Sequence, residues 1–191
     1  MIRIIAGRHR GRRIEPPPGE RIRPTSERAR EAMFDILAHG RFAPRPVYQD
    51  ARVLDAFAGT GALGLEALSR GARFASFLER DRAARLALSR VIEAWGETRN
   101  CAVLAGDALK PPRAAGPCDL VFLDPPYGDE TAAAALAALD AAGWVADEAL
   151  AVAEVPARAA FAPPAGFALL DERRYGAARI LFLRRDQARN G

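Results

Sequence analysis

Apolar and polar positions alternate along this chain in two rhythms. Residues 2–6 (IRIIA) are an apolar run that predicts a short strand. An arginine- and glycine-rich stretch follows, then Pro16, Pro17 and Pro18, which can continue neither strand nor helix. Over residues 27–38 the apolar side chains of Ala29, Met33, Phe34 and Leu37 recur at helical spacing. Thr25 or Ser26 is placed to cap that helix, and Glu27 falls in its first turn. Residues 40–50, with Pro44 and Pro46, predict a linker. From Arg52 onward, apolar strands (RVLDAF, RFASFLE, CAVLA, CDLVFLD and EALAVAEV) alternate with helical patterns over 61–69, 82–95 and 130–142. That alternation predicts an α/β fold, a parallel sheet with helices on both faces. Two last apolar runs, FALLDERRY and ARILFLRR, are separated by Gly176-Ala177 with no helix between them, and predict an antiparallel hairpin.

In an open α/β sheet, ligands bind beyond the C-terminal ends of the strands. Asp55 lies near the end of the first strand of the alternation, Glu79 at the end of the second, Asp107 just after the third and Asp124 at the end of the fourth. Four carboxylates at four successive strand ends single out that edge. The first strand leads into DAFAGTGALG, where Gly59, Gly61 and Gly64 have the spacing GxGxxG. Glycines let the backbone turn tightly, and the helix N-terminus that follows offers free N–H groups to an anion. A dinucleotide pyrophosphate fits that description, and so does the carboxylate of S-adenosylmethionine. Glu79, twenty residues after Gly59, stands where either nucleotide needs an acceptor for ribose hydroxyls. Asp55 favours the second ligand, because a carboxylate repels a pyrophosphate but pairs with the ammonium group of a methionine.

Asp124-Pro125-Pro126-Tyr127 follows a buried strand pattern and carries the most specific chemistry in the chain. An exocyclic amine on a nucleic-acid base is a poor nucleophile, because its lone pair is delocalised into the ring. The Asp124 carboxylate and the Pro125 carbonyl are suited to accept its two N–H bonds. The prolines stiffen the loop, and Tyr127 offers a flat face for stacking on an extruded base. Positioning and electrostatics then carry most of the catalysis.

Composition adds where the charge lies. The chain has 191 residues and a net charge of +4. Residues 1–30 hold nine arginines against three glutamates, while the remainder is slightly acidic. A basic excess confined to one end suits a polyanionic partner. Arg3, Arg8, Arg10, Arg12, Arg13, Arg23, Arg28 and Arg30 are among those that supply it, and of these Arg8, Arg10, Arg12, Arg13, Arg23 and Arg28 are the candidate nucleic-acid contacts. Cys101 and Cys118 form no CxxC pair and lie far from His9 and His39, so no metal is expected. The N-terminus has no apolar core of signal-peptide length and no run is long enough to span a membrane, so a cytoplasmic protein is expected.

Taken together, segments 55–72 (DAFAGTGALGLEALSRGA), 77–81 (FLERD), 106–109 (GDAL) and 122–128 (FLDPPYG) resemble class I methyltransferases that act on base amines. RIIAGRHRGRRI (3–14) and IRPTSERAREAMFDIL (22–37) are similar to the ribosomal RNA small-subunit methyltransferase D family, the 16S rRNA guanine-N2 methyltransferases. The resemblance covers nearly the whole chain. It implies a Rossmann-like seven-stranded sheet with the last strand antiparallel, S-adenosylmethionine as methyl donor, and 16S rRNA or the assembling 30S subunit as partner. It implies that Asp55, Gly59 and Gly61 hold the methionine part of the donor, Glu79 the ribose and Asp107 the adenine, with Ala58, Arg80 and Ala108 beside them. Asp124, Pro125, Pro126 and Tyr127 would handle the target base. The chain then divides into a basic RNA-binding extension (1–39) and a methyltransferase domain (40–191), expected to act as a monomer. A DNA adenine-N6 methyltransferase needs the same DPPY chemistry, and a nicotinamide-dependent oxidoreductase the same glycine turn.

Overall fold

The computed structural model describes residues 2–15, 27–39, 42–126 and 131–187. The candidate residues Arg23 and Tyr127, and the cap at Thr25 or Ser26, lie outside the described residues. A two-residue pair, β1 (Ile2–Arg3) with β2 (Arg13–Ile14), opens the chain, and α1 (Glu27–Ala38) follows. The alternating part then runs β3 (Arg52–Asp55), α2 (Ala62–Ser69), β4 (Phe74–Glu79), α3 (Arg82–Ala94), β5 (Cys101–Ala105), β6 (Cys118–Leu123), α4 (Thr131–Ala141), β7 (Val145–Pro156), β8 (Phe167–Tyr175) and β9 (Ala178–Arg185).

The main sheet has seven strands in the order β5-β4-β3-β6-β7-β9-β8. Strands β3 to β7 pair in parallel, and β9 inserts antiparallel between β7 and β8. The fold is the Rossmann-like class I methyltransferase arrangement, and the terminal hairpin is present as the pattern predicted. Side chains alternate across the sheet as a pleat requires. Val53, Leu120 and Phe122 pack with Met33, Phe34 and Leu37 of α1 and Leu63 and Ala67 of α2. Leu54, Val121 and Leu123 pack on the other face with Leu136 and Leu139 of α4. Phe77 meets Leu65 and Leu68 of α2 and Leu88 and Ile92 of α3.

Three expectations are revised. The run 2–6 is a strand only at Ile2 and Arg3, because the N–H groups of Ile5 and Ala6 bond the side chain of Glu66 instead of a strand partner. Strand β7 begins at Val145, three residues before the apolar pattern suggested. Its first part carries a register irregularity against β6 and a left-handed Glu148 (φ 60°), so alternation is broken there. The stretch read as a linker joins the core: Tyr48 is buried against Phe34, with ring centroids 5.9 Å apart, and Phe42 lies 5.2 Å from Phe182.

Candidate active site

Strand register brings the acids together. Asp55 pairs across the sheet with Phe77 and Phe122. Glu79 stands two positions further along β4 and Asp124 two positions beyond Phe122, just past the end of β6, so all three fall on the same side of the sheet. That side faces the start of α2. Asp55 is buried and accepts the N–H of Gly64 at 3.0 Å. Burial is the main cause that raises its pKa to about 8; the Gly64 bond opposes this, and the charges of Asp124 and Glu79 add to it. Glu79 is half-buried at the end of β4. One of its oxygens accepts the N–H of Gly59 at 2.8 Å and the other that of Asp81 at 2.7 Å. The glycine turn and the second strand end are therefore joined through one carboxylate.

The three glycines do different things. Gly59 (φ 51°) turns the chain, and a Cβ placed there would meet nothing nearer than 4.0 Å, so its surroundings are open. Gly61 (φ 76°) and Gly64 are needed for packing. A Cβ on Gly61 would lie 2.5 Å from Leu88, and one on Gly64 would lie 2.4 Å from the Phe77 ring. Gly64 thus lets α2 lie close on β4 and bring its N–H to Asp55. Ala58 is buried, with its N–H on the Leu78 carbonyl at 3.1 Å. Asp107 closes a turn by accepting the Leu109 N–H at 2.9 Å, and Ala108 is buried beneath it. Arg80 is exposed next to Glu79. Asp124 and Pro125 are half-buried just beyond β6, and Pro126 is exposed. Two cavities, of about 360 and 240 Å³, lie elsewhere, and no strand-end carboxylate lines either.

The basic extension is less free than its charge suggested. Arg30 is 2 % exposed and sits on Glu66, with its guanidinium also on the Arg3 carbonyl, so it is a core residue and not a phosphate contact. Glu66, fully buried, also receives the N–H groups of Ile5 at 2.8 Å and Ala6 at 3.1 Å and the Arg70 guanidinium at 2.7 Å. Arg8 bonds Glu97 at 2.7 Å and His9 bonds the same oxygen at 2.5 Å. Burial favours protonation of Glu97, but the bonds from Arg8, Asn100 and His9 outweigh it and hold its pKa down at about 2. Arg12 lies over the Trp95 ring, 5.5 Å from its centroid. Arg10 lines the smaller cavity together with Glu27 and Glu31. Arg13 and Arg28 are exposed. A glutamate inside the otherwise apolar helix ALGLEALS was the one sequence signal of this anchoring.

A seven-stranded sheet of this order, with a glycine turn after β3, defines a class I methyltransferase. The family model described as conserved hypothetical protein 95 matches residues 2–184. The ribosomal RNA small subunit methyltransferase D of Escherichia coli is 42% identical over 151 residues, covering 78% of this chain and 72% of that one. The Haemophilus influenzae protein of the same name is 34% identical over 181 residues, covering 92% and 89%. The solved structure of yhhF from Escherichia coli superposes with a TM-score of 0.84 at 36% identity, covering 98% of this chain and 99% of that one. The chain belongs to the ribosomal RNA small subunit methyltransferase D family.

Proposed function

We propose that this methyltransferase moves a methyl group from S-adenosylmethionine to the exocyclic N2 of a guanine in 16S rRNA, acting in the cytoplasm on the RNA or the assembling 30S subunit. The observation that carries this reading is the gathering of Asp55, Glu79 and Asp124 on one side of the pleat, with Pro125 following. The names of the relatives support ribosomal RNA as the substrate class.

The residues present suit this donor. An ammonium suits the acid cluster, since it would favour the ionised form of Asp55 that burial opposes, the N–H groups at the start of α2 suit a carboxylate, and the open space at Gly59 admits a ligand next to the backbone. Asp55, Ala58, Gly59 and Gly61 would hold the methionine part, Glu79 with Arg80 the ribose, and Asp107 with Ala108 the adenine. The donor supplies an electrophilic methyl on a sulfonium. The chain's own work is to accept the target's two N–H bonds at the Asp124 carboxylate and the Pro125 carbonyl, to aim the nitrogen lone pair, and to stack the base on Tyr127. Asp124 also stabilises the positive charge that develops on the nitrogen. No strong base is required, because the alkylated amine becomes acidic and releases its proton late.

Residues 1–39 would form the RNA-binding extension. Arg12, Arg13 and Arg28 are the better candidates for phosphate contact, with Arg8 and Arg10 discounted by the acids beside them and Arg23 kept from its sequence context. The decisive experiment is transfer of labelled methyl groups to 30S particles and to DNA, followed by nucleoside analysis. N2-methylguanosine from the particles is expected. N6-methyladenine from DNA would overturn the substrate reading.

A further inference from the structure

The turn between β4 and α3 has to do two things within a few residues. It must end a strand whose last side chain, Glu79, faces the candidate donor site, and it must start a helix at Arg82. Each half of the turn is tied separately. The Asp81 side chain accepts the Ala84 N–H at 2.7 Å and so caps α3, while the Asp81 N–H donates to Glu79 at 2.7 Å. Arg85, one turn into α3, reaches back. A single nitrogen of its guanidinium donates to the carbonyl of Glu79 at 2.9 Å and to that of Arg80 at 2.7 Å.

This is an unfavourable place for a cation. Arg85 stands at the end of the first turn of α3, close to the positive end of the helix dipole, which disfavours a cation. The guanidinium also bonds the carbonyls of the two successive peptides that flank Arg80 and leaves the Glu79 carboxylate to the Gly59 and Asp81 N–H groups. Two successive carbonyls tied to one nitrogen fix the orientation of the peptide that begins at Glu79, and with it the direction in which Glu79 projects.

We propose that Arg85 is a positioning residue for the donor's ribose: it clamps the peptide after Glu79 so that the carboxylate stays where a pair of hydroxyls can reach it. The proposal rests on the reading of Glu79 as the ribose acceptor. Its consequence is selective. Loss of the clamp weakens the grip on the ribose hydroxyls and leaves the methionine and adenine contacts alone, whereas loss of an ordinary structural bond would weaken every ligand together or none.

The test uses two probes, S-adenosylhomocysteine and its analogue lacking both ribose hydroxyls, titrated by calorimetry into the full chain. The wild type is expected to prefer the hydroxylated ligand by about tenfold or more, since the hydroxyls bond a charged acceptor. Arg85→Ala is expected to remove most of that preference while binding the analogue as the wild type does. Arg85→Lys keeps a compact donor with three N–H bonds and is expected to restore part of it, and it serves as the working variant where Arg85→Ala folds poorly. A full preference retained in Arg85→Ala, or an equal loss for both ligands, overturns the positioning role. A wild type with no preference overturns the ribose reading of Glu79 itself, and the proposal with it.

Discussion

Two regions of the molecule handle a buried carboxylate in opposite ways. Before the start of α2, burial above all raises the pKa of Asp55 to about 8, with Glu79 and Asp124 adding to it and one backbone N–H opposing it. Past the end of α3, Glu97 is surrounded by Arg8, His9 and Asn100, and against the effect of burial its pKa is lowered to about 2. Between them Glu66 receives two backbone N–H groups and has two guanidiniums beside it. An acid supplied with donors by its own chain is finished as a structure: it holds the basic hairpin onto α2 and α3. Asp55, buried with one backbone N–H to accept and two further carboxylates nearby, is suited to a cation from outside, and that points to a ligand site. Local charge alone would have reversed the assignment, because the arginine-rich end looked free and much of its charge is already engaged.

Glu66 offers the harshest way to break this contrast. Glu66→Ala leaves Arg30 and Arg70 beside an empty buried position and frees two N–H groups, so a loss of about 3–5 kcal/mol is expected in urea unfolding. A variant within 1 kcal/mol of wild type, roughly the size of a single ordinary hydrogen bond, would show that the hairpin is held by apolar packing instead. Next comes Asp124→Ala, expected to slow single-turnover methyl transfer by about a hundredfold or more with donor affinity little changed. Tyr127→Phe should keep much of that rate and Tyr127→Ala should lose most of it, because stacking needs the ring. Transfer at the wild-type rate by Asp124→Ala would reduce DPPY to a turn.

The contrast also has opposite pH signatures. The pKa of Asp55 in the fold lies above its ordinary 3.8, so its ionisation is disfavoured there and it works against stability as pH rises from about 4 toward 8. A donor ammonium needs the ionised form. Donor affinity should therefore climb with pH up to about 8 and then level, with a limiting slope of about tenfold per unit, and Asp55→Asn should flatten the climb. Glu97 lies below its ordinary 4.5, so its contribution to stability is complete above that pH and disappears as pH falls through about 2. Acid should thus release the hairpin under conditions where Asp55 is already neutral; hydrogen exchange at Arg8 and His9 against acid would show whether it does.

The smallest effect concerns the arginines. Replacing Arg12 and Arg13 with Ala should flatten the salt dependence of RNA binding by roughly 0.7 log unit for each phosphate that is no longer neutralised. Replacing Arg8 and Arg10 should change it less, because Arg8 is already paired with Glu97 and Arg10 shares a cavity with Glu27 and Glu31. Equal slopes for the two pairs would mean that these internal partners give the arginines up to RNA.

Much of the architecture was readable along the chain. The alternation of apolar strands and amphipathic helices is a local signal with a fixed period, and the acids at 55, 79, 107 and 124 fall where that period ends each strand, so both the parallel sheet and its candidate ligand edge follow from counting. Gly59, Gly61 and Gly64 were legible as a motif, but their division of labour was not. Only the closeness of Phe77 and Leu88 separates the glycines that packing requires from the one that leaves space. Register was equally invisible: it sets Glu79 and Asp124 two positions beyond the partners of Asp55, which turns three separate carboxylates into one cluster and adds to the burial that raises the pKa of Asp55. The fate of the arginines was the least legible of all. Whether a guanidinium meets water, a phosphate or a buried glutamate far along the chain depends on long-range packing, and nothing in the spacing of Arg8 or Arg30 announces Glu97 or Glu66. Periodic burial is written locally in a sequence, whereas the pairing of charges is decided only when distant segments are brought into contact.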